Sequence, residues 1–347
     1  MRTLLYYIFK FFIKTGLFFY TKEIKILGKD NIPKKEAILF TSNHPNGLID
    51  PLLIASNISR KSHFLVRAAV FKKKTIAYFF DLLGMMPIYR IRDGVKQLSK
   101  NEEIFNKCEE LLKNKKALLI FPEGSHNRKR TIRPLSKGFT RIIFRTLDES
   151  PETNIHIVPI GITYQNASNY PSKVAINIGK PILANTYYKK ENINSSVKEI
   201  KNLVSKQLES LSVHLKDDDK YNEKLSKLNF SQVDFTDVNK VNSMIKNEKI
   251  QENKSIKKNY LKPIFYLILI NSIIPYTIWR LLSKKISEIE FIDTFRFGVN
   301  TILFPIFYIL QSWVISLFFG FKVALIYFIT SIFLVLFYTK TVATPAE

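Results

Sequence analysis

The sequence predicts an α/β fold: a mostly parallel sheet flanked by helices, with an N-terminal interfacial helix and a C-terminal hydrophobic helical region. Short apolar runs recur with helical or loop material between them, at Ala37 to Thr41, His63 to Val66, Met86 to Arg90, Ala117 to Phe121, Ile155 to Ile160 and Val174 to Ile178. Such alternation marks strand–helix–strand units, whose sheets are parallel and carry function at strand ends. A length of 347 residues and 46% hydrophobic content provide for one sizeable core and an accessory region. Four segments result: an interface helix over 1–26, the α/β domain over 27–215, a polar linker over 216–259 and a membrane region over 260–347 with two or three hydrophobic helices.

The first segment, MRTLLYYIFKFFIKTGLFFY, is apolar but contains Lys10 and Lys14 at i,i+4, and no small-residue cleavage site follows. It reads as an uncleaved helix whose aromatic face enters the headgroup boundary while the lysines snorkel outward. The alternative is a buried first helix of the soluble domain. In SNHPNGLIDP, Pro45, Asn46 and Gly47 interrupt regular structure after a short buried strand. Asp50 followed by Pro51 is a helix start signal, with the carboxylate at the N-cap. His44 is thereby placed at a strand end and Asp50 at a helix start. Further on, Ser196 with Glu199 forms a capping box, and Val197, Ile200, Val204, Leu208 and Leu211 give the helix it opens one apolar face.

From Lys216 to about Asn259 the composition is Lys, Asp, Asn, Ser and Glu with scattered apolar residues, which reads as a linker with transient helix. It then reverses. Leu261 to Leu282 and Val299 to Phe319 are each about long enough to cross a bilayer, and Val323 to Tyr338 is slightly short. Pro263, Pro275 and Pro305 imply kinks, and Trp279 and Trp313 are expected as interface anchors. Lys257, Lys258 and Lys262 favour a cytosolic side before the first span, while Lys284 and Lys285 pull the other way, so a re-entrant hairpin stays open. The net charge of +24 implies attraction to a polyanion, either nucleic acid or an anionic lipid surface. The lysines are spread along the chain with no RNP-type aromatic motif or zinc spacing, so no nucleic-acid partner is expected. The single cysteine, Cys108, excludes an intrachain disulfide and any multi-cysteine zinc site, and no metal is expected.

Three stretches stand beside SNHPNGLIDP. GMMPIYRIRDG sets Arg90 and Arg92 after a strand, where cations can meet phosphate oxygens. LLIFPEGSHNRKR ends a strand and leads into Glu123, Gly124, Ser125 and His126, and IVPIGITY ends another with Pro159. Singly each has a plain structural use: a strand-end ion pair, a turn residue, a solvated basic run at Arg128 to Arg130, a strand terminator. Their order, a His/Asp pair, then Arg, then Phe-Pro-Glu-Gly, then Val-Pro, resembles the four blocks of the PlsC-type glycerolipid acyltransferases over roughly Leu27 to Leu215. Two departures stand out. Five residues separate His44 from Asp50, one more than the usual spacing, and Ser125 and His126 follow the FPEG run in place of Thr-Arg. Both look similar to the fungal-type glycerol-3-phosphate and dihydroxyacetone-phosphate acyltransferases and their bacterial relatives.

The resemblance implies an O-acyltransferase that moves a fatty acyl group from a thioester to glycerol-3-phosphate in phospholipid synthesis. The alternatives are acylation of lysophosphatidate, or a degenerate lipid-binding membrane protein. His44 would be the general base and Asp50 would fix its tautomer, as in a triad without its serine, because the substrate hydroxyl is itself the nucleophile. Arg90, Arg92, Glu123, Gly124 and Ser125 would hold the glycerol phosphate, with Asn43, His126, Lys137 and Pro159 at its rim. Physically, a glycine lets backbone N–H groups approach, whereas Glu123 cannot bind phosphate and instead orients an arginine or a hydroxyl. No cofactor is expected beyond acyl-CoA or acyl-acyl carrier protein as co-substrate. Expected partners are that donor, the glycerol phosphate acceptor and membrane phospholipids, with the catalytic domain facing the cytoplasm.

Overall fold

In the computed structural model the described residues are 2–71, 73–89, 99–250 and 260–344. Eight strands form one sheet: β1 (Glu23–Leu27), β2 (Ala37–Ser42), β3 (Ser62–Arg67), β4 (Met85–Ile88), β5 (Ala117–Ile120), β6 (Ile155–Tyr164), β7 (Lys173–Ile178) and β8 (Ile182–Leu183). Their order is β1-β7-β6-β2-β5-β3-β4, and β8 pairs with β6. The β6–β7 and β6–β8 pairs are antiparallel and the others parallel, so the sheet is mostly parallel, as the alternating runs predict.

Every residue of β2 and β5 is buried, as expected for central strands covered on both faces. Successive side chains alternate between the two layers. Ile38 and Phe40 pack with Ile13 and Leu17 of α1 (Arg2–Tyr20) and Leu53 of α2 (Ile49–Asn57). Ala37 and Leu39 face the other layer, built by α4 (Asn101–Lys113), α5 (Gly138–Glu149) and α6 (Ile193–Leu211). A short helix, α3 (Lys74–Leu82), precedes β4. One side of α1 therefore docks on the domain, while Leu4, Phe11 and Phe18 on its other side stay exposed.

Several local expectations fail for identifiable reasons. Asp50 does not cap α2: Leu48 occupies that position, without a side-chain cap, and the carboxylate folds back into the preceding turn. Ser196 does not cap α6 either. Asn192 does, accepting from the Ser195 N–H at 3.2 Å, and the Ser196 hydroxyl accepts from the Lys189 N–H at 2.9 Å. Ile200, Val204 and Leu208 are still the buried face. Pro159 terminates nothing, since β6 runs on to Tyr164.

The segment read as a linker contains α7 (Tyr221–Phe230) and α8 (Val238–Lys246). Its sparse apolar residues suffice because nearly all are spent on one small core, where Tyr221, Leu228, Phe235 and Val241 pack with Val213, Leu215 and Ala175.

Leu261 to Leu282 is not one straight span. It divides into α9 (Lys262–Asn271) and α10 (Ile273–Ser283), bent by 94°. Pro275 lacks a donor in the first turn of α10, and side chains satisfy the break: Gln311 donates to the Asn271 carbonyl at 3.1 Å and the Ser272 and Tyr308 hydroxyls meet at 2.6 Å. The last helix, α11 (Ile292–Thr341), contains both later apolar runs and is interrupted at Gly320, whose φ of 80° and ψ of 165° are not helical. Both ends of α11 return to the domain. Asp293 accepts from the Tyr20 hydroxyl, and Thr339 meets the Tyr170 hydroxyl at 2.6 Å, with the Tyr20 and Tyr170 rings 4.9 Å apart. The chain therefore doubles back at Gly320. Ile289–Thr341 is the one stretch among the described residues that is long and apolar enough to cross a bilayer by itself. Trp313 is exposed, whereas Trp279 lies under the Arg296 guanidinium at 5.2 Å, a packing role and not that of a free anchor.

The α7–α8 unit is pinned to β7 by Asp234, which accepts from Lys173 at 2.6 Å and from the Thr236 N–H at 3.0 Å. Partial burial raises the carboxyl pKa, but the Lys173 and Thr236 hydrogen bonds outweigh it and hold it at about 2, against 3.8 for a free group. A depressed pKa contributes stability present above about 3.8 and lost as pH falls toward 2. Acidification through that window should expose the chain after α6 to acid-active protease in the wild type. The Asp234→Asn protein should be cut at nearly the same rate at both ends of the window.

Candidate active site

β2 ends at Ser42 and delivers His44 to the start of a tight turn. The His44 Nδ1 lies 2.8 Å from Asp50 Oδ2. A carboxylate accepts only, so Nδ1 carries the proton and Nε2 presents a lone pair, with no hydrogen-bond partner among the described residues. The imidazole stacks on Phe121 at 3.9 Å between ring centres, and its side chain is 16% exposed, enough for a substrate to reach it. Asp50 is fully buried and accepts two more bonds, from the Asn46 N–H at 2.7 Å and the Tyr164 hydroxyl at 2.6 Å. Burial pushes its pKa up, while His44, Tyr164 and the Asn46 N–H pull it down.

The turn is gripped from the far end of the chain. Asn46 Nδ2 donates to Asp293 Oδ2 at 2.9 Å and to the Ala167 carbonyl at 3.2 Å, and the Leu48 N–H donates to Thr294 Oγ1 at 3.1 Å. Gly47 is needed for space: a Cβ there would sit 2.8 Å from the Glu290 carbonyl and 2.9 Å from Thr294 Oγ1.

The FPEG loop forms the opposite wall. Glu123 receives Arg133 Nε at 2.7 Å, and Arg133 also donates from Nη1 to Ser125 Oγ at 3.0 Å and from Nη2 to the Ser125 carbonyl. Arg133 is thus the arginine that Glu123 orients. Burial raises the Glu123 pKa and Arg133 opposes that rise. Gly124 adopts φ +76°, a conformation that favours glycine, and among the described residues, its two chain neighbours apart, no atom lies within 4 Å of where a Cβ would stand.

His126 lies edge-on to His44 at 5.7 Å and meets Glu288 at 3.1 Å. Burial lowers its pKa, and the neighbouring His44 adds to that. Lys137 is exposed just after Ser136, whose N–H donates to the Pro122 carbonyl at 2.7 Å, so it stands at the edge of the same loop.

Two predicted residues do not point into the hollow. The Asn43 side chain is spent on β6, donating to the Ile162 carbonyl at 2.9 Å and accepting from its N–H at 2.8 Å. Pro159 is buried within β6 opposite Thr41, where its carbonyl accepts from Gly179. Arg90 and Arg92 lie outside the described residues. Tyr164, Arg133, Glu288 and Asp293 were not anticipated. Only Asp293 carried a usable signal, as the last carboxylate before a long apolar run.

Residues 23–163 match the family model described as Acyltransferase. The chain carries an acyltransferase-family domain. That domain contains the His44–Asp50 pair, the FPEG loop and β6 as far as Thr163, one residue short of Tyr164, and it ends well before Asp293. Glycerol-3-phosphate O-acyltransferase 1 of Saccharomyces cerevisiae is 29% identical over 119 residues, 33% of this chain and 16% of that protein, so the match spans about a sixth of the relative's length. The 1-acyl-sn-glycerol-3-phosphate acyltransferase of Borreliella burgdorferi is 23% identical over 212 residues, 58% of this chain and 78% of that protein. Among solved structures, the 1-acyl-sn-glycerophosphate (LPA) acyltransferase PlsC from Thermotoga maritima is 20% identical, covers 60% of this chain and 81% of its own, and has a TM-score of 0.44.

Gly47→Ala should destabilise the chain by about 1–3 kcal/mol, because a backbone carbonyl blocks the new methyl and cannot swing away. Thermal unfolding in detergent measures it. An unchanged midpoint would mean that the segment around Glu290 does not press on the acyltransferase domain.

Proposed function

We propose that the chain is an O-acyltransferase of glycerolipid synthesis that transfers a fatty acyl group from a thioester to glycerol-3-phosphate. The observation that carries this is the oriented imidazole: His44 Nδ1 is committed to a buried carboxylate, and Nε2 is left as a base beside the FPEG loop. His44 Nε2 takes the proton from the acceptor hydroxyl as that oxygen attacks the thioester carbonyl. The tetrahedral intermediate collapses, the C–S bond breaks, and the proton on Nε2 passes to the departing sulfur, so an ester and a free thiol result. Asp50 stabilises the imidazolium in between, and Tyr164 and the Asn46 N–H keep that carboxylate aimed. The intact pair speaks against a degenerate domain.

The acceptor's phosphate requires cations. By family resemblance Arg90, with Arg92, is the assigned clamp, and Lys137 adds a charge at the rim of the FPEG loop. Gly124, without a Cβ, lets the acceptor approach its backbone, and Ser125 and His126 belong to the same loop. The donor is acyl-CoA or acyl-acyl carrier protein. The catalytic side is cytoplasmic, with α1 and the α11 hairpin in contact with membrane phospholipids. A lysophosphatidate acceptor is the second reading, favoured by the length over which the chain resembles the Borreliella burgdorferi enzyme named for that substrate. Purified protein offered glycerol-3-phosphate and lysophosphatidate separately, with each thioester donor, distinguishes the two. Acylation of neither acceptor by any donor would sink the proposal.

His44→Ala should lower transfer by roughly 10²-fold to 10⁴-fold without unfolding the chain. A folded variant with wild-type turnover would remove His44 from the mechanism.

Asp293 should act as a positioning residue. Asp293→Ala deprives the Asn46 amide of the shorter of its two hydrogen bonds, and a small displacement of the His44–Asp50 turn should cost kcat roughly tenfold to a hundredfold. The KM for the thioester should hardly change. A fall in folded yield with normal kcat in the surviving fraction would leave Asp293 a purely structural role.

A further inference from the structure

A cavity of about 770 Å³ lies between α1, the bent α9–α10 pair, both limbs of α11 and the loop after β6. Most of its wall is apolar, including Phe12, Phe19, Leu269, Phe304 and Ile332. Its polar lining includes Ser272 and Tyr308 at the α9–α10 break and, on the side of the acyltransferase domain, Arg296, which lies over Trp279 and donates to the Ser168 carbonyl at 2.7 Å, beside Asn169. A concave, largely apolar space with a few polar groups, in the range of about 300–1,000 Å³, has the form of a ligand site. The volume suits one long hydrocarbon chain better than two.

The surroundings indicate what can enter. The helices around the cavity turn Phe11, Ile270, Ile273 and Phe333 outward, all strongly exposed, so its outer boundary is the lipid-facing surface. Hydrocarbon chains are the solute on that side. A guanidinium at one end selects an anionic head, carboxylate or phosphate. We propose that this cavity binds a single-chain anionic amphiphile from the bilayer, its chain between α1 and the α11 hairpin and its head at Arg296.

The site stands apart from the chemistry assigned to His44, since a chain would bind there whether or not turnover occurs. The two meet at Asp293, which accepts from Tyr20 in the cavity wall, lies 3.6 Å from Arg296, and accepts from Asn46 in the turn. A substrate of the reaction and a resident membrane lipid share this chemistry, so the test has to separate them.

Palmitic acid carrying a diazirine near its methyl end is the probe, photolysed with the full chain in phosphatidylcholine nanodiscs and mapped by mass spectrometry. Adducts are expected at Leu269, Phe304 and Ile332. Leu269→Trp with Ile332→Trp fills the space from two of the helices that line it and should cut labelling at Phe304 by about tenfold or more. Arg296→Gln should abolish the preference for palmitate over the matching neutral hexadecanol probe. His44→Ala should label like wild type even when inactive, so failure of the catalytic reading leaves this one standing. Competition by lysophosphatidate together with an altered chain-length preference in the Trp variants identifies a substrate site. Competition with unaltered turnover identifies a resident lipid. Adducts confined to outward positions such as Phe11 and Ile270, unchanged in the Trp variants, would overturn the proposal.

Discussion

A carboxylate without accessible surface has to be surrounded by donors, and Asp50 imposes that condition on everything near it. An ionised group in the interior is tolerated only when hydrogen bonds replace its lost hydration. Its three donors come from three different places: the imidazole after β2, the N–H of the following turn, and the hydroxyl that ends β6. The sheet brings them together. β2 and β6 run parallel in register from Ala37 with Ile155 to Ser42 with Ile160, and the Asn43 amide extends that pairing by binding both backbone groups of Ile162. Tyr164, two residues later and facing the same layer, then reaches Asp50.

A second buried carboxylate couples the far end of the chain to this arrangement. Asn46 is shared between the two, its N–H given to Asp50 and its side-chain amide to Asp293. Because α11 reverses at Gly320, its last turn also comes back to the domain, where Lys340 donates to the Phe18 and Thr21 carbonyls at the end of α1. Cations there are well placed, since the C-terminal carbonyls of a helix are unpaired and carry partial negative charge. The apolar helices thus form the back wall of the candidate site, in addition to whatever they do in a bilayer.

Six of the eight strands, the packing face of α6 and the His44–Asp50 pair were legible in the sequence because each depends on local pattern: short apolar runs, helical spacing and polar breaks after strands. Caps were misread because Asp50 and Ser196 are good N-cap types whose side chains found stronger partners elsewhere, a tertiary choice that no local pattern contains. The α7–α8 unit was missed because composition averages over a segment, whereas a small core needs only a few apolar residues correctly spaced. Arg133 and Tyr164 were invisible for another reason. Their roles are defined by loops and strands that meet only in three dimensions, and nothing beside them in the chain distinguishes an arginine or a tyrosine of that use.

The additional residue between His44 and Asp50 and the C-terminal helices explain each other. On one regular helix a six-residue offset would turn the two side chains to different faces. Here His44 is still at a strand end, Asp50 is already in the first turn of α2, and the residues between them fold so that the Asn46 N–H faces the carboxylate. A turn of that length contains a glycine and two groups, Asn46 Nδ2 and the Leu48 N–H, that need partners from outside. All three are met by the segment that opens α11: Glu290 lies against Gly47, Asp293 takes Asn46 and Thr294 takes Leu48. Without that segment the turn would keep more of the conformational freedom of a Pro-Asn-Gly sequence, and the Asn46 amide would retain only its bond to the Ala167 carbonyl. The lengthened motif therefore makes the geometry of the candidate base depend on a part of the chain that lies beyond the acyltransferase domain.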